Sequence, residues 1–251
     1  MKRVLLVLGL IFLALILIAL IAGWVMHKPR PEVEPSPEAD QLARNMMAAV
    51  QAEAWDSTRW LRWTFLGQHD YVWDKTRHLV EVRWSDYRVL LDPNTSAGKA
   101  WKKGQALEGE AKAKALDKAL AFFFNDSFWL NPVVKAFDPG TRRSIVPLKD
   151  GSNGLLVEYT SGGVTPGDAY LWILNDNFRP RAWRMWVSVL PIGGVENTWE
   201  GWRQLPTGAW IAPVHKTAIG TMELTGIRGG MTLNDIGLDE DPFSEWPPNE
   251  H

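Results

Sequence analysis

The chain has 251 residues, with 27 Lys and Arg against 29 Asp and Glu and a net charge of −2. A balance this close to neutral lacks the basic surplus that neutralises a phosphate backbone, so nucleic acid is excluded as a partner. With no Cys, disulfides and thioether lipidation are excluded, and the fold must be held by its core alone.

Behind Lys2 and Arg3 runs an unbroken apolar stretch, residues 4–26. As a helix it spans roughly 34 Å, enough for a hydrocarbon core of about 30 Å. A cleaved secretory signal fits less well, because its apolar part is only about 7–15 residues and ends in an A-x-A-like site. Ile21-Ala22-Gly23 is like a lipoprotein box, but Trp24 stands where the lipidated Cys would be. Residues 1–27 are therefore expected to be an uncleaved signal anchor, with Trp24 at the headgroup level. Lys2 and Arg3 on one side nearly balance His27, Lys28 and Arg30 on the other. The short N-terminal tail and signal-like order place the C-terminal part outside the cytoplasm.

Residues 28–36 (KPRPEVEPS) alternate proline and charge and read as a stiff, extended tether. Residues 238–251 are acidic and proline-rich and read as a disordered tail. Between them, residues 37–237 have the size of one domain. It opens with a helix from 37 through 54, in which Ser36 is the cap, Pro37 the first residue, and Glu38 and Asp40 stand in the first turn. Leu42, Ala43, Met46, Met47 and Val50 form its apolar stripe.

The period then changes to two. Strands are predicted at 59–66, with Leu61, Trp63 and Phe65 on one face, then at 71–74, 78–84 and 88–92, with a turn at 67–70. In the third of these Val80, Val82 and Trp84 oppose Glu81 and Arg83. A helical insertion follows at 110–124, with Ala115, Leu116, Ala119, Leu120 and Phe123 on one face. Asn125-Asp126-Ser127 should break it, and Asn131-Pro132 should start a short helix ending near Phe137. Further strands are predicted at 142–148, 155–160, 170–175, 181–188, 195–204, 210–218 and 221–227. Pro213 argues for an edge or bulge in its strand. No βαβ alternation appears, so a parallel sheet is excluded. The expected class is α+β and mostly β: after the transmembrane helix, an antiparallel open half-barrel of about 10–11 strands covered by helices.

Signals of chemistry are sparse. The five histidines, His27, His69, His78, His215 and His251, show no metal-ligand spacing. His69-Asp70 reads as turn chemistry. No nucleophile elbow, Walker loop or dinucleotide fingerprint occurs, and the glycine-rich residues 162–168 read as a loop entering a strand. No catalytic residue, metal site or cofactor is expected. A carboxylate pair for hydrolysis is the weakest alternative. What stands out is 15 Trp and 9 Phe. Each large aromatic buries 150–250 Å², either in a filled core or around a cavity. Convergent strand faces and a phenylalanine-rich insertion favour an aromatic-lined cavity for an apolar ligand. Its expected lining is Trp63, Phe65, Val82, Trp84, Phe122, Phe123, Trp129 and Trp172.

A leading helix, several strands, a helical insertion and a long antiparallel run together resemble the LolA/LolB lipoprotein-carrier superfamily. The segment Leu171-Trp172-Ile173-Leu174-Asn175-Asp176-Asn177-Phe178-Arg179-Pro180-Arg181-Ala182-Trp183 looks like that family's strand–turn–strand. Tyr71-Val72-Trp73-Asp74-Lys75 and Thr165-Pro166-Gly167-Asp168-Ala169-Tyr170 look like motifs of uncharacterised relatives. The resemblance spans residues 36–230 and implies non-covalent binding of acyl chains or lipidated proteins in a half-barrel. It also implies a bacterial envelope location, and with the expected anchor at residues 1–27 the chain reads as a single-pass inner-membrane protein with its domain in the periplasm. The chain departs from the family in keeping a transmembrane segment and lacking Cys. Tethered, it would receive, sense or hold a lipid and not ferry one. The alternative is an envelope scaffold with a filled barrel, acting through an envelope protein partner.

Overall fold

The computed structural model describes residues 2–161, 167–244 and 246, and within the N-terminal helix the side chains of residues 8–18, 23 and 25. That helix, α1 (Lys2–Met26), is unbroken. Among the described residues no helix is long and apolar enough to cross a membrane. The Trp24 side chain lies outside those described.

Ser36 caps α2 (Pro37–Ala49) as expected, its hydroxyl accepting the Ala39 N–H at 3.2 Å. The helix does not run on to residue 54. Gln51 adopts a left-handed φ of +57°, and the chain re-enters a helix as α3 (Ala52–Ser57). The break has a packing reason: Ala39, Ala43 and Met46 of α2 enter one core cluster, whereas Trp55 of α3 enters another. One straight helix would face both stripes the same way.

The strands are β1 (Trp60–Phe65), β2 (His69–Asp74), β3 (Leu79–Trp84), β4 (Tyr87–Leu91), β5 (Gly98–Lys102), β6 (Gln105–Ala106), β7 (Thr141–Pro147), β8 (Asn153–Tyr159), β9 (Ala169–Leu174), β10 (Pro180–Trp186), β11 (Val195–Thr198), β12 (Arg203–Gln204), β13 (Trp210–Ile211), β14 (Val214–Thr217) and β15 (Gly220–Gly230). They form two open antiparallel sheets and a small hairpin. The larger has eight strands in the order β14-β15-β1-β2-β3-β4-β5-β6, the smaller has five, β11-β10-β9-β8-β7, and β12 pairs with β13. The two sheets meet where Glu200 and Val214 exchange backbone hydrogen bonds. The expected single curved sheet of 10–11 strands is thus two sheets with more, shorter strands. Pro213 lacks the N–H to continue a ladder, and the strand predicted at 210–218 divides beside it into β13 and β14. β5 and β6 escaped notice because they lack apolar alternation. They end the sheet, where Lys99 and Lys102 suit an edge.

The register of the larger sheet sets one row of Leu61, Trp73, Val80 and Leu91. Beside it run Trp63, Tyr71, Val82, Val89 and Ala100, and then Phe65, His69, Trp84 and Tyr87. Cross-strand partners share a face, so these rows form one apolar wall. Over it lies α4 (Gly109–Phe128). A Cβ on Gly98 would stand 2.3 Å from Leu116 Cδ2, so helix and strand touch through that glycine. The helix runs past the predicted stop at 125–127. Asp126 does not compete for the helix backbone, since its carboxylate is engaged by β2.

The outer faces are covered by the two segments expected to stand off the domain, the stiff tether and the disordered tail. Residues 28–35 are no free tether. Lys28 N–H donates to Gly193 O at 2.9 Å, Arg30 pairs with Glu158 at 3.6 Å, and Pro35 bridges Ser144. Val33 packs on Val146, Leu156, Ala169 and Leu171 of the five-stranded sheet. Alternating charge finds partners on both sides while the apolar residue covers sheet that would otherwise face water. The expected disordered tail is likewise pinned through residue 244. Phe243 is 2% exposed and stacks on Trp60 at 6.1 Å, and Asp241 pairs with Arg77 at 2.8 Å. Residues 245 and 247–251 lie outside the described residues. Beneath this segment the wholly buried Asp74 accepts from Arg59 (3.1 Å) and Arg77 (2.6 Å). Burial alone would raise its carboxyl, but the hydrogen bonds from the two arginines outweigh that and hold it below the ordinary value.

Candidate ligand-binding interior

The face of α4 turned to the sheet carries Ala115, Ala119 and Phe123, with Leu116, Leu120 and Phe122 at its margin. Phe123 meets Trp73 at 5.2 Å, Tyr71 at 6.4 Å and Trp63 at 6.5 Å between ring centroids. Phe122 stacks on His69 at 3.8 Å and stands edge-on to Trp84 at 5.5 Å. Such pairs add about 0.5–1.5 kcal/mol each beyond area burial. The concavity is filled by the helix's own rings.

One polar contact fixes the end of this helix. Asp126 is buried, and its Oδ2 accepts from the Tyr71 hydroxyl at 2.6 Å and lies 2.7 Å from His69 Nδ1. Burial, with the Asp126 charge and hydrogen bond, raises Tyr71 far above its ordinary value, so the phenol remains a donor. His69 therefore belongs to β2 and serves Asp126; the turn reading of His69-Asp70 is corrected. Asp126→Ala is expected to lower unfolding free energy by about 2 kcal/mol, because it leaves the buried Tyr71 O–H without an acceptor. Urea denaturation followed by circular dichroism measures this, and an unchanged midpoint would show that the contact contributes nothing.

A second aromatic cluster sits on the five-stranded sheet. Trp172 and Trp183 are cross-strand partners, and Trp183 lies 5.0 Å from Trp199 and 5.0 Å from Trp129. Trp129 packs against both clusters. The expected lining residues thus divide. Trp63, Phe65, Val82, Trp84, Phe122 and Phe123 come together under α4, Trp172 lies in the other cluster, and Trp129 forms the seam. Sequence reading missed Tyr71, His69 and Asp126, as well as Trp183, Trp199 and His215. No local sequence signal marked Asp126, which read as part of a helix breaker; its burial appears only in the structure.

Several polar atoms of this interior have no hydrogen-bond partner among the described residues. They include the indole nitrogens of Trp63, Trp183 and Trp199 and the amide nitrogen of Asn131. The motif 71–75 is structural: Tyr71 holds Asp126, Asp74 centres the arginine pair, and the Lys75 ammonium lies 4.8 Å from the Trp55 ring. Burial, opposed by the Asp56 charge, lowers Lys75 to about 8. Of the motif 165–170, Thr165 and Pro166 lie outside the described residues, and Asp168 accepts from the Ser188 N–H at 2.9 Å. Among the described residues, recesses that open to solvent include the following pair. One of about 700 Å³ runs between α2 and the ends of β7–β9, past Leu42, Ile145 and Phe178. The other, about 460 Å³, is polar and lies around Gln68 and Arg83.

Fold and interior define an α+β protein of open antiparallel sheets under helical cover. Among solved structures the chain is similar to a DUF1329 family protein from Desulfovibrio piger ATCC 29098, at 11% identity and a TM-score of 0.41, covering 84% of this chain and 97% of that one. It is also similar to a putative outer membrane lipoprotein-sorting protein domain from Vibrio parahaemolyticus, at 11% identity and a TM-score of 0.31, covering 78% and 97%. No protein-family model and no curated protein matches the chain.

Proposed function

We propose that this chain is a membrane-anchored protein of the bacterial envelope that binds an apolar chain, the acyl chain of a lipid or of a lipidated protein, in the aromatic interior that runs from beneath α4 on the eight-stranded sheet, past the Trp129 seam, to the five-stranded sheet. The supporting observation is the set of unpartnered donors in an otherwise aromatic interior: the indole N–H groups of Trp63, Trp183 and Trp199 and the Asn131 amide. Each buried donor without an acceptor costs roughly 1–3 kcal/mol, and few persist in a core shaped for packing alone. The ester or amide carbonyls at the head of an acyl chain are acceptors that would relieve them. In this reading residues 1–27 are the anchor and the domain lies on the periplasmic side of the inner membrane. Trp63, Phe65, Val82, Trp84, Phe122, Phe123, Trp129 and Trp172 contact the ligand as α4 moves aside. The role is binding without catalysis, and Asp126 and His69 hold the cover.

A second reading, an envelope scaffold acting through protein contacts, is favoured by the rings of α4 already filling the concavity. Native mass spectrometry of the detergent-extracted full chain separates the two. A lipid or fatty acyl adduct that survives removal of detergent is expected. Bare chain alone, even after incubation with excess long-chain fatty acid, would leave the scaffold.

A further inference from the structure

The residues directly after α1 are clamped to one loop, 187–194, between β10 and β11. The Gly193 N–H donates to His27 Nδ1 at 2.9 Å, Lys28 N–H donates to Gly193 O at 2.9 Å, and Trp186 Nε1–H donates to Lys28 O at 2.7 Å. The glycines permit this closeness. A Cβ on Gly193 would stand 2.3 Å from Trp186 Cδ1. One on Gly194, whose φ is +74°, would stand 2.6 Å from Lys28 Cβ. Contact extends back into the helix, where a Cβ on Gly23 would lie 3.6 Å from Ile192. The loop, Val187-Ser188-Val189-Leu190-Pro191-Ile192-Gly193-Gly194, carries no charged residue. Val189 is 75% exposed and Leu190 37%. The flanking helix end supplies His27, Lys28 and Arg30.

We propose that loop 187–194 is a docking surface for the lipid bilayer, inserting Val189 and Leu190 at the headgroup boundary and seating the domain against the membrane. The inference rests on the anchor reading above. If α1 spans the bilayer, Gly193 is fixed at the point where the chain leaves it. Val189, four residues away, is at most about 14 Å from that point. The polar interface of a bilayer is about 5–8 Å deep on each side, and four residues of chain are long enough for the apolar tip to fold back into it. Membrane continuity with α1 selects the bilayer as occupant, and the Lys28 ammonium beside the loop suits anionic headgroups.

Because the chain has no Cys, one introduced cysteine carries a fluorophore at a single place. The full chain with Val189→Cys, labelled with an environment-sensitive dye, is reconstituted into phosphatidylethanolamine/phosphatidylglycerol vesicles, one set containing lipids brominated near the headgroup and a second set containing lipids brominated deep in the acyl chains, which reads position 12. Phe12→Cys reports the span, and Asn94→Cys, in the exposed β4–β5 turn, reports water. The expected result is blue-shifted emission and several-fold stronger lipid quenching at 189 than at 94. Adding Gly194→Val, which forces Lys28 away, should reduce quenching at 189 and leave that at 12 unchanged. Quenching at 12 with none at 189 overturns the docking proposal alone. Quenching at neither overturns the anchor reading and the docking with it. A label at 189 shielded from aqueous iodide yet untouched by brominated lipid places a protein surface or a second copy on the loop, and also overturns the proposal.

Discussion

Phe123→Ala is expected to lower the unfolding free energy by about 3–5 kcal/mol, the usual cost of emptying a buried phenylalanine site. The ring is 4% exposed and touches Trp63, Tyr71 and Trp73 at once. These three residues stand on two neighbouring strands, so none can follow the truncated side chain without disturbing the sheet. The void stays and its cost is not relieved by collapse. Chemical denaturation followed by far-ultraviolet circular dichroism measures the loss. Phe123→Leu, which keeps most of the volume, should lose far less. The same substitution divides the two functional readings. If an acyl chain takes the place of α4 rings, the vacated space lies where the chain would bind, and the adduct-bearing fraction in native mass spectrometry should rise above that of the wild type. If the barrel is a scaffold, stability falls and no adduct appears. A loss below about 1 kcal/mol would mean that α4 does not depend on this ring for its seat.

The sequence made the inner face of the larger sheet readable, because strict alternation in 59–66 and 78–84 put Trp63 with Phe65 and Val82 with Trp84. The register then joins them as neighbouring rows. The apolar stripe of α4 was readable for the same reason, since Ala115, Ala119 and Phe123 recur at helical spacing. What local patterns could not show were contacts distant in sequence. Asp126 looked like a helix breaker because the Tyr71 hydroxyl that holds it lies 55 residues away. Trp172 looked like a neighbour of Trp84, yet the chain divides its strands between two sheets, and that division depends on where β11 and β14 meet. The two flanking segments looked unpacked, the first a stiff tether and the second a disordered tail, because proline and charge usually signal solvation. Each instead places one or two apolar residues, Val33 and Phe243, over an outer sheet face that carried more apolar surface than an exposed face should.

Acid should destabilise the protein well before its carboxylates are protonated, and His215 is the reason. The residue is wholly buried, with Nδ1–H donating to Thr198 O at 3.0 Å and its ring 4.3 Å from Trp199 and 5.2 Å from Trp129. Desolvation, only partly offset by the Thr198 and Trp129 backbone, lowers it to about 4. An unfolded histidine titrates near 6.5. Above that value neither state carries the proton and the full stability is present. As pH falls below it, the unfolded chain takes up a proton that the folded chain refuses, and stability drains away until the folded residue titrates as well. The total is about 3 kcal/mol, of which about 2 kcal/mol is lost between pH 7.5 and pH 5. His215→Gln, which keeps an N–H donor but cannot charge, should flatten the stability–pH curve over that interval by the same amount. Asp74 and Asp241 are held below their ordinary values, so their losses begin near pH 4 and do not overlap this window. Parallel curves for the wild type and His215→Gln between pH 7.5 and 5 would show that the folded protein admits the proton. In that case the seam at Trp129, where α4 ends and the two aromatic clusters meet, would be open to water and not sealed as its packing implies.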